Sequence, residues 1–160
     1  MKRYTARIFF AFALCLLLTG MPRFAGAAEF ESFTFGQLQE LLAASKGKVV
    51  MINFWATWCP PCREEIPGLM NIRNSFGEDK LVLIGASVDE DTDALRAYVE
   101  KTRFNYPIKL AAGDLVNAAG VSGIPHMLIF DRQGEVIGNA AGYVPEDALR
   151  AFLKKHMESQ

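Results

Sequence analysis

The tetrapeptide Cys59-Pro60-Pro61-Cys62 constrains the fold of this chain more than any other feature. An apolar run over residues 49–55 leads into it, and a stretch compatible with a helix follows it. Two cysteines at this spacing in the first turn of a helix can close a small disulfide ring and open it again. The first sulfur would lie near the positive end of the helix dipole, which favours the thiolate that attacks disulfides. The pattern predicts a strand, a turn and a helix that together perform thiol–disulfide exchange.

The first 27 residues have the three marks of a secretory signal peptide. Residues 1–7 carry basic side chains and no acid, residues 8–18 are all apolar, and Ala25-Gly26-Ala27 supplies small residues for a cleavage site. The apolar run is short for a bilayer span, which takes about 20 residues. We therefore expect a signal peptide over 1–27 and a single folded domain over 28–160, in an exported protein. A retained anchor through 8–18, with the domain on the extracytoplasmic side, is the alternative.

The composition excludes several function classes. Loss of the leader removes four basic residues and no acids, which takes the formal net charge from −1 to −5. No basic face is implied, so nucleic acid is not an expected partner. The leader also contains one of the three cysteines, and a single remaining pair is not a structural disulfide framework. A zinc site would need two further ligands, and only His126 and His156 are available as histidines. We expect no metal and no soluble cofactor.

The hydrophobic pattern predicts alternating strands and helices, followed by a hairpin. Thr34 and Gln37 have the spacing of a capping box, and Asp131 to Gly134 form a polar turn between two apolar runs. Crossover helices require parallel strands in the first half, whereas the hairpin gives an antiparallel pair in the second. The predicted helices are 35–45, 59–76, 91–103, 114–119 and 145–156, and the predicted strands are 49–55, 81–88, 107–110, 127–130 and 135–138.

The segment from Gly47 to Pro67 resembles the TlpA/ResA-type family of exported thioredoxin-like reductases. Residues 85–91, 120–125 and 130–134 support this resemblance, which extends over roughly residues 47–152. It implies an α/β thioredoxin fold, in which helices flank a central mixed sheet. It also implies an αβ insertion after the active-site helix, at about residues 81–110.

The roles of the two cysteines follow from their positions. Cys59 is nearer the helix N-terminus and the more exposed, and is therefore the expected attacking thiol, while Cys62 would resolve the mixed disulfide. Pro60 and Pro61 have no N–H, so the amide of Cys62 is the first that can face the Cys59 thiolate. A thiolate with so little stabilisation favours a reductant. Trp58 is expected to shield the sulfur.

By resemblance, Pro125 is a cis-proline that faces the cysteine pair. It would leave the backbone of Ile124 free for strand-like pairing with a client protein, next to Trp58 and Pro60. A trans-proline that merely opens a strand is the alternative. His126 stands where the family leads us to expect threonine, and is either a strand-edge side chain or a residue that tunes the site.

The acidic residues allow different interpretations. By resemblance, Glu65 would assist proton movement at the inner cysteine; from the sequence alone it is an ordinary helix acid like Glu64. Asn53 occupies the position at which cytoplasmic thioredoxins carry a buried aspartate. The run of acids at residues 89–91 suggests a metal cluster, but is better explained as a solvated loop with a helix cap.

The leading hypothesis is an exported, monomeric thiol–disulfide oxidoreductase that reduces cysteine-containing client proteins. By resemblance, a membrane electron-transfer protein would supply its electrons. Apocytochrome c is one candidate client, although residues 123–126 do not match the Gly-Ala-Pro-Glu stretch of members dedicated to cytochrome c maturation. A disulfide-donating oxidant and a redox-silent peptide-binding module are the alternatives. A peroxiredoxin-like peroxidase is disfavoured because the Pro-x-x-x-Thr-x-x-Cys spacing is absent around Cys59.

Overall fold

The fold is built on one mixed sheet of six strands, in the order β1-β4-β3-β2-β5-β6. A computed structural model describes residues 30–158, and the predicted signal peptide lies outside them. Strands β1 to β4 run parallel to one another, whereas β5 is antiparallel to both β2 and β6. The strands are β1 (Ser32–Phe33), β2 (Val49–Trp55), β3 (Leu81–Ser87), β4 (Ile108–Ala111), β5 (His126–Phe130) and β6 (Val136–Ala141).

Helices cover both faces of the sheet, and the central strand β2 is therefore buried along its whole length. Its alternate side chains enter two different cores. Ile52 packs with Leu38 and Leu115 on one face, and Met51 packs with Leu69 and Leu149 on the other. The helices are α1 (Phe35–Ala44), α2 (Pro60–Ser75), α3 (Thr92–Thr102), α4 (Gly113–Ala118) and α5 (Glu146–Glu158).

The predicted elements are present, with ends that differ by a few residues. The capping box of Thr34 and Gln37 begins α1, and Asp91 caps α3 by accepting from the amides of Asp93 and Ala94. Residues 81–111, where the resemblance implies an αβ insertion, form β3, α3 and β4. Strand β1 was not predicted. It has only two residues and pairs with β4, so it has no periodicity of its own.

None of the helices between residues 30 and 158 combines the length and the apolar character that a membrane crossing requires.

Candidate active site

Cys59 and Cys62 form a disulfide where β2 passes into α2. Cys59 is the N-cap residue of α2, and its Sγ accepts a hydrogen bond from the amide of Cys62 at 3.3 Å. This is the contact that the two prolines predict. Both sulfurs are largely covered in the oxidised pair, with Cys59 4% and Cys62 1% exposed. Cys59 is thus slightly more exposed than Cys62. The difference in exposure between the two cysteines is smaller than their positions in the sequence suggest.

The Ile124–Pro125 peptide bond is cis. Ile124 packs against the cluster that contains both cysteines, so the start of β5 lies beside the disulfide. The carbonyl oxygen of Pro125 accepts from the amide of Gly142 at 2.8 Å. The structure therefore brings together the predicted client-binding residues and the cysteines. Trp58 extends from the same turn with 65% of its surface exposed, and Pro60 is also exposed.

Glu65 is buried, unlike its exposed neighbour Glu64. It lies on α2, three residues after Cys62, and only 3% of it is exposed. One carboxylate oxygen accepts from the Nδ2 of Asn53 at 2.8 Å, and the other accepts from the amide of Val144 at 2.9 Å. Burial raises the pKa of Glu65, while these two hydrogen bonds act in the opposite direction. Glu65 is thus a helix acid, as the sequence indicates, but unlike Glu64 it is buried and paired with two donors.

The expectation that Asp89 lies in a solvated loop is wrong. Only 4% of it is exposed. Its carboxylate accepts from the amide of Thr57 at 3.0 and 3.1 Å, from the Thr57 hydroxyl at 2.5 Å and from the Ser87 hydroxyl at 2.7 Å. No sequence pattern points to this contact, because an acid after a strand and before a helix usually caps the helix, a role that Asp91 takes here.

His126 is buried within the sheet and is not a strand-edge side chain. Its Nε2 lies 2.6 Å from Oδ1 of Asn139, and its ring stands edge-on to Phe54 with the ring centroids 6.0 Å apart. His126 follows Pro125 directly and is the first residue of β5. Its hydrogen bond to Asn139 therefore ties the beginning of β5, beside the disulfide, to β6.

Residues 30–158 contain no group of three or more histidine, cysteine, aspartate or glutamate side chains placed to hold a metal ion. Asp89 and Asp91, which the sequence places close together, have separate hydrogen-bonding roles.

Comparison with known proteins places this arrangement in a family. The model of the AhpC/TSA family matches residues 23–138. The chain belongs to the AhpC/TSA family. It is 31% identical over 111 residues to the thiol-disulfide oxidoreductase ResA of Bacillus thuringiensis subsp. konkukian, an alignment that covers 69% of this chain and 64% of that relative. It is 27% identical over 113 residues to ResA of Bacillus subtilis, covering 70% and 63%. The chain therefore spans somewhat less than two thirds of the length of these relatives.

A solved structure supports the fold assignment. A thiol:disulfide interchange protein of the thioredoxin family from Chlorobium tepidum superposes with a TM-score of 0.66 at 30% identity, over 72% of this chain and 83% of that protein. The predicted thioredoxin fold and the resemblance to the TlpA/ResA type are thereby confirmed.

Proposed function

We propose that this protein is a thiol–disulfide oxidoreductase that reduces disulfides in client proteins outside the cytoplasm. One observation carries the proposal: Cys59 and Cys62 form a disulfide at the N-terminus of α2, beside the cis-proline segment. A redox-silent peptide-binding module would not require this pair. The names of the relatives agree with the reaction, and the reduction of exported clients goes beyond those names.

The reaction begins from the reduced pair. The Cys59 thiolate attacks one sulfur of a client disulfide, and the other client sulfur leaves as a thiolate that takes up a proton. Cys62 then loses its proton and attacks Sγ of Cys59, which releases the second client thiol. Two electrons have passed from the cysteine pair to the client, and the pair is left in the oxidised form that the structure shows.

We propose two supporting roles around the sulfurs. Ile124 would pair with the client backbone, and Trp58 and Pro60 would contact the client on the opposite side of the disulfide. Glu65, a buried carboxyl group one helical turn beyond Cys62, would accept the proton that Cys62 loses. Its raised pKa suits proton transfer near neutral pH better than that of a solvated glutamate.

The electrons must come from another protein, because an extracytoplasmic compartment is oxidising. We propose a membrane electron-transfer protein as the donor and cysteine-containing proteins as clients, with apocytochrome c as one candidate. We also propose that residues 1–27 direct export and are removed. Mass spectrometry of the protein purified from cells would show a mature chain that begins at or near Ala28. Membrane-bound protein that still carries residues 1–27 would instead support the alternative, in which residues 8–18 are a retained membrane anchor.

Trapping experiments test the division of labour between the cysteines. With dithiothreitol as reductant and insulin as client, Cys59→Ser should abolish disulfide reduction because no attacking thiol remains. Cys62→Ser should also stop turnover but should accumulate mixed disulfides through Cys59, since the resolving thiol is missing. Peptide mass spectrometry identifies the linked residue. Adducts through Cys62 in the Cys59→Ser variant, together with no adducts through Cys59 in the Cys62→Ser variant, would reverse the assignment.

A further inference from the structure

Asp89 is a buried acid at the active-site turn that the exchange reaction does not use. It lies two residues after the end of β3, and its carboxylate accepts hydrogen bonds from both the amide and the hydroxyl of Thr57. Ser87 adds a third donor and in turn accepts from the amide of Asp89 at 3.0 Å. The three ion pairs found among residues 30–158 do not include Asp89.

These contacts fix the turn that carries Cys59. The amide of Val88 donates to the carbonyl oxygen of Trp55 at 2.9 Å, and the amide of Cys59 donates to that of Ala56 at 3.2 Å. The carboxylate of Asp89 therefore holds the middle of a short turn whose two ends are already bonded. Thr57 and Cys59 are two residues apart, so their Cα atoms are separated by at most about 7 Å. Adding about 4 Å from the carboxylate to the Cα of Thr57 and about 3 Å from the Cα of Cys59 to its sulfur places the carboxylate within about 14 Å of that sulfur.

We propose that Asp89 is a positioning residue that holds the turn over residues 56–59 against the end of β3, and that its negative charge disfavours the thiolate of Cys59. This proposal rests on the proposed function in one respect only: it takes Cys59 as the residue with the reactive sulfur. A suppressed thiolate leaves the reduced pair less stabilised, which favours electron donation, while it slows attack by Cys59 at neutral pH.

Alkylation of Cys59 by iodoacetamide tests the effect of the charge without a client or an electron donor. Cys62→Ser serves as the background, and peptide mass spectrometry reads the Cys59 peptide alone. Asp89→Asn removes the charge but keeps the shape, because its oxygen can accept from Thr57 and its amide can donate to the Ser87 hydroxyl. Asp91→Asn is the matched control: it makes the same change in charge at an exposed position of the same loop, and asparagine also caps helices well.

At pH 7, Asp89→Asn should alkylate about three times faster than the parent. One charge about 14 Å away, at an effective dielectric constant of about 20, changes the thiolate fraction about sevenfold. The accompanying loss of nucleophilicity, with a Brønsted coefficient of about 0.5, cancels the square root of that factor and leaves about threefold. Asp91→Asn should stay within about 1.5-fold of the parent, because solvent screens its charge. The midpoint of the pH profile of the rate should fall for Asp89→Asn alone.

Two results would overturn the inference. One is an alkylation rate in Asp89→Asn no higher than in the parent, with circular dichroism and thermal melting unchanged. The other is an equal acceleration in Thr57→Val, which keeps the charge but loses the hydroxyl donor, since loosening of the turn would then explain the effect. If Asp89→Asn does not fold, Asp89→Ser replaces it, because it also removes the charge and the same rise is expected. Because alkylation involves no electron transfer, these outcomes stand whether or not the protein proves to be a reductase.

Discussion

Glu65 connects the cysteine helix to two other parts of the molecule. Through Asn53 it contacts β2, and through the amide of Val144 it contacts the loop between β6 and α5. The same loop reaches the cis-proline segment through the hydrogen bond from Gly142 to Pro125. Any change in the protonation of Glu65 therefore acts on a loop that contacts both the cysteine helix α2 and the cis-proline segment.

The raised pKa of Glu65 makes the stability of the protein depend on pH. Because the folded state binds this proton more tightly than the unfolded state, whose pKa is near 4.5, the free energy of unfolding should fall as the pH rises from about 4.5 through the folded-state pKa. Glu65→Gln cannot ionise, so this fall should be missing from its urea unfolding measured from pH 4 to pH 8. Glu65→Ala should lose about 2–4 kcal/mol, because it leaves the backbone amide of half-buried Val144 and the side-chain amide of buried Asn53 unpaired.

Glu64→Gln is the matched control for this prediction, because Glu64 is the exposed neighbour on the same helix. Its pH profile should follow that of the parent. A profile for Glu65→Gln that also coincides with the parent would show that the carboxyl group does not set the pH dependence.

At the scale of elements, local sequence determined most of what could be predicted. The capping box at Thr34, the uniformly apolar β2 and the polar turn after Asp131 all depend on residues within a few positions of each other. Glu65 and Val144 are 79 residues apart, and Thr57 and Asp89 are 32 apart. Such pairs meet only once the strands are aligned, so no local pattern distinguishes Glu65 from Glu64, or Asp89 from a solvated acid.

Gly85 shows how closely β3 packs beside the active-site strand. A Cβ at this position would lie 2.6 Å from Cδ1 of Ile108, and 3.2 Å from Nε1 of Trp55 and Cε2 of Tyr106. The end of the isoleucine can move, but the two rings pack within a buried aromatic cluster. Gly85→Ala should therefore destabilise the protein by about 1–3 kcal/mol through overpacking, which urea unfolding would measure.

Gly113→Ala is the control for this substitution, since a Cβ there would meet nothing within 4 Å. It should change the unfolding free energy by no more than about 0.5 kcal/mol. Equal stability of the two variants would contradict the packing argument.

For the whole molecule, the fold gathers four separate segments around one disulfide. The turn at residues 56–59, the end of β3, the cis-proline segment and the loop after β6 meet where the central strand ends. The two halves of the sheet contribute differently. The parallel half supplies the cysteines and Asp89, whereas the antiparallel hairpin supplies Pro125 and His126. This mixed sheet makes a site from residues that stand far apart in the chain.

The reduction potential tests the direction of electron flow that we propose. Pro60 and Pro61 offer no amide to the Cys59 sulfur, and the carboxylate of Asp89 is held beneath the same turn. The reduced form should therefore be only modestly stabilised, with a potential nearer that of thioredoxin, about −270 mV, than that of a strong oxidant, about −120 mV. The gap of roughly 150 mV corresponds to about 7 kcal/mol for two electrons, which equilibration in thiol–disulfide buffers of known potential resolves easily. Alkylation of the free thiols followed by mass spectrometry gives the fraction of the protein that is reduced in each buffer. A value more oxidising than about −180 mV, the level of protein disulfide isomerase, would identify a donor of disulfides rather than a reductase.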